Sequence, residues 1–161
     1  MIFVTVGTHE QSFDRLIKKI DEIKEKALIE DEIVIQKGYS KYEPKNCKYY
    51  DLIPWEQMQE LYKNARIIIC HGGPASFIDA LSLGKKPIIV PRQFKYNEHV
   101  NNHQVDFCLE LKKRGLNIEV IIDINELEGA ILNYDNDSLE FKSNNANFNN
   151  MLIEDVKKLF D

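Results

Sequence analysis

The run Ile67-Ile68-Ile69-Cys70, followed directly by His71-Gly72-Gly73-Pro74, constrains the fold of this chain more than any other stretch. A continuous apolar run bounded by turn residues reads as a strand covered on both faces, and such strands belong to parallel sheets flanked by helices. Pro74 suits the first helical position, where a missing amide hydrogen costs little, and residues 75–83 read as a helix that stops at Gly84. The start of that helix leaves backbone N–H groups without intrahelical partners. With no side chains at Gly72 and Gly73 to cover them, the turn is a candidate seat for phosphate. The plainer reading is that the glycines only permit a tight turn, as in many α/β domains.

The same unit recurs along the chain. Residues 2–6 read as a first strand ended by Gly7-Thr8-His9, and Phe13, Leu16, Ile17, Ile20 and Ile23 then recur at helical spacing, with Ser12 or Asp14 as the candidate cap. Residues 33–35 and 49–53 are the next predicted strands, and Pro54 opens a helix carrying Met58, Leu61 and Tyr62. Residues 88–90 form another strand closed by Pro91, and the polar segment 92–104 leads into a helix with Val105, Phe107, Cys108, Leu109 and Leu111. Residues 118–122 are the last predicted strand, and Asp123 or Asn125 can cap a short helix ending at Leu132. The asparagine-rich stretch at about 136–150 reads as a polar loop, and residues 151–161 as an amphipathic C-terminal helix. The expectation is one α/β domain over residues 1–161, a Rossmann-like three-layer parallel sheet. Ligands of such sheets sit beyond the carboxyl ends of the strands. The loops after Val6, Ile35, Cys70 and Val90 therefore share one edge, where the chain's unusual polar residues collect.

Composition removes several function classes. A net charge of −5 argues against a nucleic-acid protein, whose binding face needs a basic excess. The three cysteines, Cys47, Cys70 and Cys108, are too few and too far apart for a disulfide framework or a zinc motif, and Cys70 and Cys108 read as small core residues. The first residues lack the basic lead of a signal peptide and no run is long enough to span a bilayer, so a cytoplasmic protein is expected. Asp135-Asn136-Asp137 fits an acidic metal pattern nominally but lies away from the strand ends, so no metal is expected. The first turn also lacks the second and third glycines of a dinucleotide fingerprint, which argues against a dehydrogenase.

Three ordered blocks carry a more specific signal: residues 3–10, the His71-Gly72-Gly73 turn, and Glu98-His99-Val100-Asn101-Asn102-His103-Gln104. Together they resemble the C-terminal, donor-binding half of a GT-B glycosyltransferase of family 28, the family of the peptidoglycan N-acetylglucosaminyltransferase. The resemblance is greater to stand-alone versions of that half. These are the catalytic subunit of the split eukaryotic UDP-N-acetylglucosamine transferase and bacterial capsule and exopolysaccharide subunits, chiefly β-1,4-galactosyltransferases.

The resemblance implies a role for each matched residue. Gly72, Gly73, Pro74, Ala75 and Ser76 would hold the UDP diphosphate, and Asp79 would meet the ribose hydroxyls where the family carries a glutamate. Ile53, next to Leu52, falls where the backbone meets uracil. Asn102, His103 and Gln104 would grip sugar hydroxyls, while Gly7, Thr8 and His9 face the sugar or phosphates. Glu98 lies in the third matched block and His71 in the second, although His71 could equally be a helix cap; on physical grounds a departing UDP gathers negative charge that Arg92 or a histidine could neutralise. His9 and Glu10 are the candidate bases if the chemistry is housed within this chain.

One half of a GT-B enzyme has only one wall of the cleft, so the resemblance also implies a partner. This is a membrane-anchored acceptor-binding subunit resembling the N-terminal half, recruiting the chain to the inner face of the membrane and to a lipid-linked saccharide acceptor. The implied reaction is inverting transfer of a hexose, galactose before others, from a UDP-sugar, with no cofactor. A non-catalytic nucleotide-binding or enhancer subunit is the alternative, and a homo-oligomer remains open.

Overall fold

The computed structural model describes residues 1–135. The expected loop and C-terminal helix over residues 136–161, and most of the Asp-Asn-Asp pattern, lie outside these residues. The described chain forms β1 (Ile2–Thr5), α1 (Asp14–Glu25), β2 (Ile33–Gln36), β3 (Lys48–Tyr50), α2 (Trp55–Asn64), β4 (Ile67–Cys70), α3 (Pro74–Ser82), β5 (Ile88–Ile89), α4 (His103–Lys113), β6 (Glu119–Val120) and α5 (Leu127–Leu132). Short 3₁₀ turns at Phe94–Tyr96 and Ile124–Glu126 precede α4 and α5.

The six strands form one sheet in the order β3-β2-β1-β4-β5-β6, and every pairing is parallel. This is the doubly wound order, whose direction reverses between β1 and β4. Phe3 stands opposite both Val34 and Ile68, which places the two central glycine turns side by side. Alternate strand residues enter different cores. Val4, Ile35, Ile67 and Ile69 pack with Leu16, Ile17 and Ile20 of α1 and Leu127 of α5. Phe3, Val34 and Ile68 pack with Tyr62 of α2 and Ala80 of α3, and Cys70 and Ile89 pack with Phe77 of α3 and Cys108 of α4. Both faces are covered, which is why the strands read as unbroken apolar runs rather than alternating ones.

Element ends differ from the sequence reading for local reasons. The third strand ends at Tyr50, because β3 is an edge strand and the chain turns through Asp51 toward Pro54. Pro54 sits in extended backbone (ψ 149°) as the residue before α2 rather than its first member. Only Glu119 and Val120 of the last expected strand keep ladder geometry, with Ile121 N still donating to Ile89 O (2.8 Å). Neither Ser12 nor Asp14 caps α1. Instead Phe13 N donates to Ser40 Oγ (2.9 Å), and the Asp14 carboxylate reaches across to Lys41 N and Tyr42 N (2.8 and 3.0 Å). The start of α1 is thereby tied to the loop after β2. Asp123 caps the 3₁₀ turn Ile124–Glu126 that leads into α5, accepting from Asn125 N at 3.0 Å, while α5 itself has no side-chain cap.

Candidate functional site

The carboxyl ends of β1, β2 and β4 open into a cleft of about 520 Å³. It is lined by the start of α3 with Gly73, Pro74, Ala75, Ser76 and Asp79, and by Trp55, Met58 and Tyr62 of α2, which packs beside it with Tyr62 OH donating to Ser76 O at 3.0 Å. Thr5, Gly7, Thr8, His9, Gln36 and His71 complete it. A second hollow of about 430 Å³ lies on the other side of the turn, lined by His99, His103, Gln104 and Phe107. Gly73 and Pro74 border both, so the start of α3 is the ridge between them.

The Gly-Gly turn does not present its own two amides as the sequence suggests. Gly72 N donates to Gln104 Oε1 and Gly73 N to His71 Nδ1, each at 3.0 Å. The glycines serve packing instead: a Cβ on Gly73 would lie 2.2 Å from His71 Cε1, and one on Gly7 would lie 2.4 Å from His71 Nε2. Gly7 has φ +74°, a backbone that also favours glycine. No side chain caps α3, so the amides of Ala75 and Ser76, not those of the glycines, are the open donors at its start.

His71 thus sits between two glycine turns. With Nδ1 accepting from an amide, its neutral ring carries the proton on Nε2, which lies 3.1 Å from Ser76 Oγ. Burial, then the nearby Arg92 charge, push its pKa down to about 4. His9 follows the same pattern, with Nδ1 accepting from Gln11 N at 3.1 Å, so it turns an N–H donor to its surroundings. Burial lowers its pKa first, and Arg92 and His99 lower it further. In this arrangement His9 offers a donor where a base was expected, and Glu10 is exposed and borders neither hollow.

Arg92 and Glu98 stand behind the cleft rather than in it. Arg92 is 0 % exposed, and its guanidinium donates to the carbonyls of Gln11 (2.7 Å), Val6 (2.9 Å) and Glu98 (3.1 Å). Burial lowers its pKa to about 10. Glu98 accepts from Arg15 Nε (2.8 Å) and from Gln93 N (3.0 Å). These two residues lock the loops after β1 and β5 together, a task for which the polar loop composition gave no signal.

Gln104 is also occupied: its Oε1 accepts from Arg92 N (3.1 Å) as well as Gly72 N, leaving only its amide hydrogens for a ligand. Asn102 Oδ1 accepts from Phe94 N at 2.9 Å, and His103 is exposed at the second hollow. Ile53 is half-buried and packs beside Tyr62 in the core, outside the cleft wall. Asp79 lies on the cleft one turn beyond Ser76, and burial raises its pKa above the usual carboxylate value.

Trp55 was missed by the sequence reading, which placed no function on the first turn of α2. It is 68 % exposed at the cleft wall, and a tryptophan followed by Met58 and Tyr62 at helical spacing was the available signal. Gln36 follows the predicted strand 33–35 and is in the structure the last residue of β2. It is 2 % exposed, borders the cleft, and its Oε1 has no partner among the described residues.

Comparison with known proteins bears on the fold and the family. The chain is 29 % identical over 126 residues to the human UDP-N-acetylglucosamine transferase subunit ALG13, an alignment that takes in 71 % of this chain and 10 % of that protein. Among solved structures, the glycosyltransferase of kitacinnamycin superposes with a TM-score of 0.60 at 18 % identity, over 81 % of this chain and 34 % of that one. The calicheamicin glycosyltransferase CalG4 superposes at 0.54 with 15 % identity, over 81 % of this chain and 33 % of its own. The chain therefore spans about a tenth of the human relative and a third of each transferase. The model of the glycosyltransferase family 28 C-terminal domain matches residues 1–160, and the chain belongs to that family.

Proposed function

We propose that the first cleft holds the uridine diphosphate part of a UDP-sugar, and that the chain is the donor-binding catalytic subunit of a two-component inverting glycosyltransferase. The observation that carries this reading is that Ser76 and Asp79 face one cleft from a single turn of α3 and share its lining with Trp55 and Met58 of the neighbouring α2. A nucleoside diphosphate needs these three surfaces in that order. Helix-start amides and a hydroxyl meet the anion, a carboxylate meets the ribose hydroxyls, and an apolar face meets the base. The cleft volume lies in the range of small-molecule sites.

In this reading the diphosphate rests on the amides of Ala75 and Ser76, and Ser76 Oγ accepts from His71 and is free to donate onward. The sugar extends toward Thr8 and His9, with Asn102, His103 and the Gln104 amide group reaching it from the second hollow. The departing UDP gathers negative charge, and preorganised donors at that point lower the barrier. No metal or other cofactor is assigned to the reaction, and the UDP-sugar is a substrate.

The donor sugar is a hexose, galactose before others, and the acceptor a lipid-linked saccharide of capsule or exopolysaccharide synthesis. A membrane-anchored subunit resembling the N-terminal GT-B half would supply the acceptor site and hold this chain at the inner face of the membrane. Membership of the family and the human relative's name as a transferase subunit support a split enzyme. Among the described residues no helix is long and apolar enough to cross a membrane, so anchoring is assigned to the partner.

Calorimetric titration with UDP tests the cleft. Asp79→Ala should weaken binding by about tenfold or more, the effect of removing a charged acceptor from a hydroxyl pair. Unchanged affinity refutes the ribose role. The donor geometry at His9 favours one second reading, a nucleotide-binding enhancer subunit without chemistry of its own. UDP binding with no partner-dependent turnover would select it.

A further inference from the structure

Phe107 is the one large apolar side chain among the described residues that line the second hollow, where it stands with His99, His103 and Gln104 beside the Gly72-Gly73-Pro74 turn. It follows His103 by four positions and Gln104 by three, a spacing that gathers them on one side of α4. The ring is 42 % exposed, and Phe77, itself buried, backs it with centroids 6.2 Å apart and planes tilted by 40°. It is therefore held from the core and open toward the hollow. We propose that Phe107 is the platform for the apolar face of the transferred hexose, and that through it the site prefers a hexose whose 4-hydroxyl is axial. The proposal rests on the cleft reading and adds to it a specificity residue for the sugar.

The groups around the ring suit a pyranose. Such a sugar carries hydrogens on the two sides of its ring and hydroxyls around the edge, so it needs one flat apolar surface with a few polar groups beside it. Gln104 Oε1 accepts from Gly72 N and Arg92 N, at 3.0 and 3.1 Å, which fixes the carboxamide and leaves its amide hydrogens as donors. His103 is exposed beside it. Both hollows end on Gly73 and Pro74, and the rings of His9 in the first and His99 in the second have centroids 5.1 Å apart. Groups of the two hollows thus come within the span of one sugar residue, and a hexose joined to a diphosphate at the start of α3 can reach the second.

The preference follows from the shape of the sugar's faces. With the 4-hydroxyl axial, as in galactose, the hydrogens on C3, C4 and C5 lie together on one face. With it equatorial, as in glucose, the C4 hydrogen turns to the opposite face and the apolar patch shrinks. Contact with an aromatic ring gains in proportion to the apolar area it removes from water, so the first sugar gains more. No bond forms or breaks in this role.

The test is calorimetric titration of the full chain with UDP, UDP-galactose and UDP-glucose. Phe107→Leu, which keeps apolar bulk against Phe77, should leave the Kd of UDP unchanged and weaken UDP-galactose by about three- to tenfold, the value of an aromatic contact. UDP-glucose should weaken less, so the preference between the two sugars narrows. Phe107→Tyr keeps the ring and should keep the preference. Saturation-transfer NMR on the unmodified protein gives a readout independent of variant folding: saturation of aromatic protons should reach H3, H4 and H5 of the galactose more strongly than H2. Even saturation over the hexose, equal weakening of UDP and UDP-galactose in Phe107→Leu, or a preference that survives loss of the ring overturns the proposal. Failure of UDP and both UDP-sugars to bind the unmodified chain is a different result: it removes the cleft reading, and this proposal with it.

Discussion

At the scale of single residues, the site is organised around the enclosed ring of His71. The sequence made the Gly-Gly turn visible, but not that one of its amides is taken by the ring two residues back and the other by a glutamine on another helix. A turn pattern reports backbone freedom, whereas the partner of each amide depends on tertiary contacts. Gly73 has φ −76°, so alanine there meets no backbone strain, only the imidazole. Gly73→Ala should therefore cost about 1–3 kcal/mol in urea unfolding, the usual cost of overpacking. In a His71→Ala background the same change should cost much less, a coupling that a double-mutant cycle measures. The ring also confers a pH dependence. Its pKa falls from the ordinary 6.5 to about 4 on folding, so the unfolded chain binds the proton more readily. That contribution to stability is complete above about pH 6.5 and is lost as pH falls toward 4, by about 3 kcal/mol in all. His71→Asn, which keeps an acceptor for the Gly73 amide but cannot titrate, should remove this slope, as unfolding curves at pH 7 and pH 4.5 would show.

At the scale of elements, the order of strands and helices was legible because strands covered on both faces leave continuous apolar runs, and each helix carries one apolar stripe. What escaped notice was how the loops are held. Arg92 reads in sequence as a cation at a strand end, yet it is the buried tie between the loop after β1 and the loop after β5, backed by the Arg15–Glu98 ion pair. Such a tie joins residues 86 apart in the chain, and no local pattern encodes it. Arg92→Ala would leave several carbonyls without donors and should cost roughly 3 kcal/mol or more. It should also speed hydrogen exchange in both loops, whereas a residue acting only on ligand would leave stability unchanged. The first turn of α2 behaves in the opposite way. Trp55 is 68 % exposed, so Trp55→Ala should leave stability within about 0.5 kcal/mol. If its ring is the surface for the base, UDP affinity should nevertheless fall by about 1–3 kcal/mol, the value of a base–aromatic stack.

At the scale of the whole molecule, the sheet order and the edge that collects the polar loops followed from the sequence, since a parallel doubly wound sheet has only one place for a ligand. The same logic shows what this edge lacks. In the proposed reading the amides, the carboxylate and the apolar side chains would all serve a donor, while of the two base candidates His9 turns an N–H outward and Glu10 borders neither hollow. The rim of the edge also leaves Tyr39, Phe94 and Val100 exposed, at 58, 57 and 69 %. A cleft with donor-binding groups and no base among the described residues should bind without reacting. The chain alone should take up UDP-galactose with an affinity that the acceptor-binding subunit changes little, and should transfer no sugar above the rate in solvent. Transfer should begin when the two subunits are combined with the lipid-linked acceptor. The measurement is Kd by calorimetry beside product formation by chromatography, each with and without the partner. Transfer by the isolated chain would place the base within these 161 residues and return His9 and Glu10 to that role. Tight binding with no transfer in either case would make the chain a nucleotide-binding enhancer.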